Sequence, residues 1–450
     1  MTKVCIIGAG SSGIVAAKTL HERGIPFDCF EKGSGVGGLW RYENDNGVAV
    51  AYQSLHINTS RHKMQFSDFP MPSHYPDFPH HTQIAQYFDS YVDHFGCRDR
   101  ITFQTAVQHV QPLADGTFQV HTADRTGQRR SGEYRAVLVA NGHHWHPRLP
   151  TVPGHFSGQT LHASRYRSPN DMVGKRVLVV GLGNSGCDIA CEVSRVAERT
   201  FLAVRRGAHI IPKYLFGKTL DRLAPPWMWR YLPFGVFQWL FGTALRLAQG
   251  RLTKFRLPQP AHHVLEQHPT ISSDLLNLIG HGQIQVKPNV KALAGSQVCF
   301  EDDSVEPVDV IVYATGYDIK MPFLDPQVFD TAENEVRLYK LVAHPQYRGL
   351  YFIGLVQPWG AIMPLAEEQS RWVADLLDGT CHLPSPAEMQ GRIERDQAKM
   401  RKRYTASPRH TIQVDFYPYL DDLRRERRRC RQSSTTVGAS AGQASRRRAA

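Results

Sequence analysis

Cysteine is scarce, with eight in 450 residues and no C-x-x-C pair. That excludes a disulfide scaffold and a paired-cysteine zinc or dithiol site. Cys187 and Cys191, four apart, would share one helix face without a second pair, so reduced thiols are expected. Long apolar runs are missing as well. The longest weakly polar stretch, between Arg230 and Arg246, has fifteen residues and includes Gln238 and Pro233, short of the about 20 apolar residues that cross a bilayer. The opening MTKVCIIGAGSSG is broken by glycine before any signal-peptide pattern develops, and a cytoplasmic location is expected. Nor is the composition extreme: 42% hydrophobic and 21% charged residues exclude a disordered chain, a coiled coil and a collagen-like fibre. The length suggests two or three domains.

Acidic charge is in deficit, and the formal net charge is +12. The excess is local. From Arg424 onward there are nine arginines and one glutamate, so residues 1–423 carry 12 − 8 = +4. Residues 424–450 read as a disordered basic tail, and the body is too mildly basic for nucleic acid to be expected as a partner. Histidines occur in groups (His80 and His81; His143, His144 and His146; His262 and His263) but without ligand spacing beside cysteine or carboxylate. No metal site is expected.

What the sequence does contain is a duplication. Lys3-Val-Cys-Ile-Ile reads as a buried strand, followed by Gly8-Ala-Gly10-Ser-Ser12-Gly13, a helical stretch to about Arg23, and a second strand from Phe27 ending at Glu31. Arg176-Val-Leu-Val-Val repeats the pattern: Gly181-Leu-Gly183-Asn184-Ser185-Gly186, a helix to about Ala197, and a strand from Phe201 ending at Arg205. Each is a β–turn–α–β unit with G-x-G-x-x-G spacing. The first glycine allows a tight turn, the second lets the backbone approach a pyrophosphate, and the third lets helix and strand pack closely. The phosphates then meet free N–H groups at a helix N-terminus.

The end of each second strand separates the two ligands. Glu31 can accept hydrogen bonds from an adenosine ribose. Arg205 and Arg206 instead attract a 2′-phosphate, which a carboxylate would repel. The first unit is expected to take a dinucleotide with a free ribose, and the second NADP(H). Two further apolar runs end alike, Ala136-Val-Leu-Val-Ala-Asn-Gly142 and Val310-Ile-Val-Tyr-Ala314-Thr315-Gly316. The expected fold is α/β, with two doubly wound, Rossmann-like dinucleotide-binding domains, one inserted in the other. Residues 1–165 would form the first part of the outer domain, 166–309 the inserted domain with an aromatic-rich segment 225–250, and 310–423 the return.

Two such sites suggest a flavin reduced by a nicotinamide. Phe156-Ser-Gly158-Gln-Thr-Leu-His162-Ala-Ser-Arg-Tyr166 fits F-x-G-x-x-x-H-x-x-x-Y and resembles the identifying sequence of flavin-containing monooxygenases. Related Baeyer–Villiger enzymes end that motif in Trp. The likeness continues through Glu31-Lys32, Gly37-Gly38-Leu39-Trp40, Tyr52–Asn58, Ser67–Pro72, Asp309–Tyr317 with its Ala-Thr-Gly-Tyr, and Gly349–Gly354 followed by Gln357. It implies a soluble, bacterial-type enzyme, since the membrane anchor of animal relatives has no counterpart in the polar tail.

The resemblance implies FAD in the first unit and NADPH in the second. Reduced flavin would take up O2 as a C4a-hydroperoxide and oxygenate a small amine or sulfide. Asn58 would stand beside the flavin's reactive edge, and His162 would bridge domains rather than move protons. No acid–base triad is visible, in keeping with chemistry carried by the cofactor. Ketone oxygenation and a catalytically idle flavoprotein sensor are the alternatives; a homodimer and peripheral membrane contact stay open. The stretch Trp227–Leu247 reads foremost as buried core, with a substrate passage or an interfacial helix as rivals.

Overall fold

A computed structural model describes residues 2–223, 225–405 and 411–431. Two five-stranded parallel sheets form its framework. The first runs in the order Leu350–Phe352, Ala136–Val139, Val4–Ile7, Phe27–Phe30, Ile101–Thr102. The second runs Gln159–His162, Val310–Tyr313, Arg176–Val180, Arg199–Ala203, Ile284–Lys287. In both, the fingerprint strand is central, with its own second strand on one side and the x-Gly strand on the other. The central strands are buried along their length, as VCII, AVLV and VIVY require for strands covered on both faces.

This pairing corrects the expected boundaries. Val310–Tyr313 lies in the second sheet, Val310 beside Val177, not at the start of the returning outer domain. Gln159–His162 also belongs to the second sheet, although it precedes residue 165. The physical reason is the repeat itself: the x-Gly strand completes the sheet of its own fingerprint. The chain crosses between units through two short antiparallel segments, His146–Pro147 and Tyr317–Asp318. Arg148 fastens the crossing, with Nε on Asp318 at 2.6 Å and its backbone N–H on Gly316 O at 3.0 Å.

Helix α1 (Ser11–Glu22) follows the first fingerprint and α2 (Asn184–Val193) the second. α3 (Phe234–Gln249) lies in the aromatic-rich segment, and α4 (Met363–Leu377) packs on α1 in the first unit's core. The aromatic stretch is only half core. Phe237 and Leu245 are buried on one face of α3 against Ile211, Val264, Leu265 and Ile271. Its other face, Val236, Trp239, Leu240 and Leu247, is exposed, as are Trp227 and Tyr231. Periodicity could not separate the faces because both are apolar.

The expected disordered tail is ordered at its start, where residues 416–431 are helical. Asp375, wholly buried on α4, receives Arg23 Nη2 at 2.8 Å, Arg427 Nε at 2.5 Å and Arg431 Nη2 at 2.7 Å. Burial pushes this carboxyl up, but the arginines prevail and hold it below its usual range. The expectation of reduced thiols also fails at one place: Cys381 and Cys430 are joined, with Cα atoms 4.9 Å apart. The two are 49 residues apart, and only docking of the C-terminal helix brings them together. The remainder of the expected tail, 432–450, lies outside the described residues.

A candidate active site between two dinucleotide units

Both fingerprints are built to the same measure. A Cβ on Gly8 would sit 2.8 Å from Ala140 O, and one on Gly181 would sit 2.6 Å from Ala314 O. Both glycines have positive φ, 96° and 116°. A Cβ on Gly13 would run into Gly8 O, and one on Gly186 into Gly181 O. Gly10 is different: a Cβ there would make only an ordinary contact, with Gly38 Cα at 3.7 Å, so no protein atom requires glycine at this position. α1 and α2 begin at Gly10 and Gly183, and neither has a side-chain cap. Their first N–H groups are therefore open to an anion.

Around the first cradle, the one-turn segment Gly38–Trp40 closes over Gly10, held by Gly37 N–H on Ala9 O at 3.0 Å. Ser12 abuts Gly354, where a Cβ would strike its hydroxyl. Gly354 N–H donates to Gln369 Oε1 at 2.7 Å, and Gln369 Nε2 to the Tyr419 hydroxyl at 2.8 Å, which ties the C-terminal helix to the fingerprint. Glu31 is 5% exposed and accepts from Ala9 N–H at 2.7 Å and Gly33 N–H at 2.8 Å. Burial raises its pKa and those two hydrogen bonds oppose the rise. Lys32 points to solvent, and Gln357 is buried in a short strand beside Gln413.

In the second unit, Asn184 turns its Oδ1 to Ile271 N–H at 2.7 Å, and Thr270 donates to Leu182 O at 2.9 Å. Segment 270–271 is thereby sewn to the fingerprint, while Ser185 stays half-buried in the first turn of α2. Arg205 and Arg206 are exposed, and neither makes an ion pair or hydrogen bond among the described residues. That leaves both guanidinium groups available to a ligand.

The linker motif is structural in its contacts. Phe156 packs in the second unit's core, and a Cβ on Gly158 would lie 2.5 Å from Asp309 O. His162 Nδ1 accepts from Ser164 N–H at 3.1 Å, which places the ring proton on Nε2, donating to Gly316 O at 3.0 Å. Burial lowers its pKa. Tyr317 meets the His162 ring edge-on at 5.2 Å, Thr315 donates to Arg148 O, and Tyr166 donates to Glu192 at 3.0 Å.

Asn58 is half-buried, and its amide has no partner among the described residues. Its loop is held by the other unit: Lys213 Nζ donates to Ile57 O at 3.3 Å, and Ser60 N–H to Asp221 Oδ2 at 2.8 Å. Burial lowers the Lys213 pKa, opposed by Asp188 and Asp274. Asp188 itself takes the Tyr52 hydroxyl at 2.6 Å. Sequence reasoning missed Lys213, Asp221 and Asp188, which lie outside the recognised motifs and act across long chain separations. No cluster of three or more metal-ligating side chains occurs among the described residues.

The model of the flavin-binding monooxygenase-like family matches residues 1–428. Flavin-containing monooxygenase 5 of Rattus norvegicus is 39% identical over 445 residues, 94% of this chain and 82% of that protein. Flavin-containing monooxygenase 3 of Homo sapiens is 36% identical over 439 residues, with the same coverage. In fold, the chain is similar to S-allyl-L-cysteine S-oxygenase from Allium sativum (TM-score 0.71, 24% identity, 97% of this chain and 92% of that one). It is also similar to the closed form of cyclohexanone monooxygenase (TM-score 0.73, 17% identity, 98% of each chain).

Proposed function

The chain belongs to the flavin-binding monooxygenase-like family, and we propose that it oxygenates soft nitrogen or sulfur atoms of small molecules through Asn58. It is an NADPH-dependent flavin monooxygenase that uses FAD and O2. The observation that carries the site assignment is the pair of glycine cradles ending in opposite charge, Glu31 buried and Arg205–Arg206 exposed. FAD fits the first: no protein atom requires glycine at Gly10, the α1 N–H groups are uncapped, and Glu31 is oriented by Ala9 and Gly33. NADPH fits the second, with the arginines placed for its 2′-phosphate. Held in the first cradle, FAD would supply the redox and O2 chemistry, with NADPH as the source of its electrons.

The residues orient and shield. Gly8, Gly13 and Ala140 fix the pyrophosphate turn; Gly181, Gly186 and Ala314 fix the other. His162 and Arg148 hold the linkers that set the distance between the units. Asn58 supplies an amide that donates and accepts without titrating, in a loop braced by Lys213 and Asp221. Asn58→Leu is expected to keep FAD and NADPH binding and to divert reduced flavin to peroxide. NADPH oxidation, peroxide and product measured together check it, and wild-type coupling in the variant defeats the assignment. An amine, a sulfide and a ketone run side by side set the substrate class.

Peripheral contact with an anionic membrane is part of this reading. Eight exposed large apolar residues fall between Tyr214 and Leu247, four of them on α3. Residues 214–256 carry seven basic side chains and one acidic, Asp221. That combination of exposed apolar side chains and excess basic residues in one segment suits an anionic bilayer surface. It opposes a second copy of the same charge, so a homodimer would use another face. Co-sedimentation with anionic vesicles, lost on Trp239→Ser with Leu247→Ser and weak with neutral vesicles, is the expected result. A cytoplasmic location is proposed from Cys5, Cys29, Cys97, Cys191 and Cys299, which form no disulfide. Thiol counting in rapidly alkylated cells tests it and reports the state of Cys381 and Cys430.

A further inference from the structure

His143 follows the x-Gly strand of the first unit, three residues after Ala140, whose carbonyl crowds Gly8. Part of the residue reaches the surface, yet both ring nitrogens are covered and have no hydrogen-bond partner among the described residues. Its ring lies 4.2 Å from that of His144. Burial, with His144 and His268 as charge neighbours, drives its pKa down and keeps the imidazole neutral. A neutral imidazole carries one donor and one acceptor. Covering both without partners is costly, and such a group calls for an external partner.

The surroundings indicate which partner. His268 stands in segment 267–271, which is held from both sides. Trp359 Nε1, two residues beyond Gln357, donates to Gln267 O at 3.0 Å. Thr270 and Ile271 bond Leu182 O and Asn184 Oδ1 of the second fingerprint. His143 thus follows the x-Gly strand of the flavin unit and has as its neighbour a segment tied to the NADP fingerprint. The part of NADP(H) that must reach the flavin unit is the nicotinamide half, because hydride transfer requires it to meet the flavin.

We propose that His143 hydrogen-bonds the nicotinamide half of NADP(H) and positions it toward the flavin unit. This rests on the assignment of NADP(H) to the second fingerprint, and the test separates the two. Holoenzyme is titrated with NADP+ and with adenosine 2′,5′-bisphosphate, which keeps the 2′-phosphate but lacks nicotinamide; flavin absorbance and calorimetry report binding. His143→Phe is expected to weaken NADP+ about 5-fold or more and to leave the bisphosphate unchanged. His143→Asn is expected to recover most of the loss. FAD content and thermal midpoint show whether each variant is folded.

Unchanged NADP+ affinity in His143→Phe overturns the proposal, as it would if only an ordered water met the ring. Equal weakening of both ligands also overturns it, by showing a general disturbance of the second unit. Wild-type protein that binds neither ligand instead refutes the NADP(H) assignment itself. Should His143→Phe not fold, nitrogen-15 histidine spectra of wild-type holoenzyme decide. NADP+ must shift the ring signal missing from His143→Asn, the bisphosphate must not, and a signal that ignores NADP+ overturns the proposal.

Discussion

The two dinucleotide units share a backbone and differ in where they keep the charged residue that follows the second strand. In each, the first glycine crowds an alanine carbonyl and the third crowds the first. In the first unit the discriminating carboxylate, Glu31, is buried and bonded to two backbone N–H groups of its own fold. In the second, Arg205 and Arg206 are exposed and unpaired among the described residues. On the proposed assignment, recognition is built into the fold on the flavin side and attached to it on the nicotinamide side. Damage to the first should be felt in stability and ligand together, damage to the second in ligand alone.

The largest effect should come from the part that both units share. Gly13→Ala places a methyl inside the Gly8 carbonyl, a backbone neighbour that cannot swing away. A loss of about 3 kcal/mol or more is expected, with FAD absent from purified protein. Gly10→Ala is the control within the same turn. Its φ of −72° suits any residue and its nearest neighbour would be at 3.7 Å, so the fold should change by less than about 1 kcal/mol. FAD should nevertheless be lost, because the methyl occupies the approach to the pyrophosphate. Denaturant melts and flavin content test the pair; equal destabilisation would remove the distinction between folding glycines and binding glycine.

Glu31→Gln comes next. One amide oxygen cannot replace both carboxylate oxygens, so either the Ala9 or the Gly33 N–H loses a charge-assisted acceptor at about 1.5–3 kcal/mol. Stability and FAD retention should fall together, seen as a lower melting midpoint and flavin released on gel filtration. If the midpoint stays at the wild-type value while FAD is lost, Glu31 is an attached recognition residue like the arginines, and the contrast between units collapses.

How much of this could be read from the sequence follows the same line. The fingerprint strands and the duplicated x-Gly strands were legible because they recur in regular repeat. The allocation of Val310–Tyr313 was missed although the repeat carried the signal: it pairs with Val177–Val180 as Ala136–Val139 pairs with Val4–Ile7. The arginine run from 424 looked like a solvated tail because its main partner, Asp375, lies about 50 residues upstream and wholly inside. Lys213 and Asp221 could not be connected with Asn58 for a similar reason: their targets are the Ile57 carbonyl and the Ser60 N–H, and backbone atoms leave no signature in a motif.

The smallest change in the molecule should come from Arg205→Ala, and its smallness is what makes it decisive. The side chain is exposed and makes no ion pair among the described residues, so its removal should leave the melting midpoint and FAD content where they were. Its effect should appear only with the phosphorylated nucleotide. A charge-assisted hydrogen bond is worth about 1.5–3 kcal/mol, which is on the order of 10- to 100-fold in affinity. KM for NADPH should rise by that order while use of NADH barely changes, and Arg206→Ala should act in the same direction. Salt supplies a second reading: about 1 M ionic strength shortens the screening length to about 3 Å, and should erode NADPH binding in wild type more than in Arg205→Ala. Wild-type protein equally efficient with NADPH and NADH would end the assignment of the arginines. A fall in the melting midpoint of Arg205→Ala would show instead that the nicotinamide side, like the flavin side, has its recognition residue built into the fold.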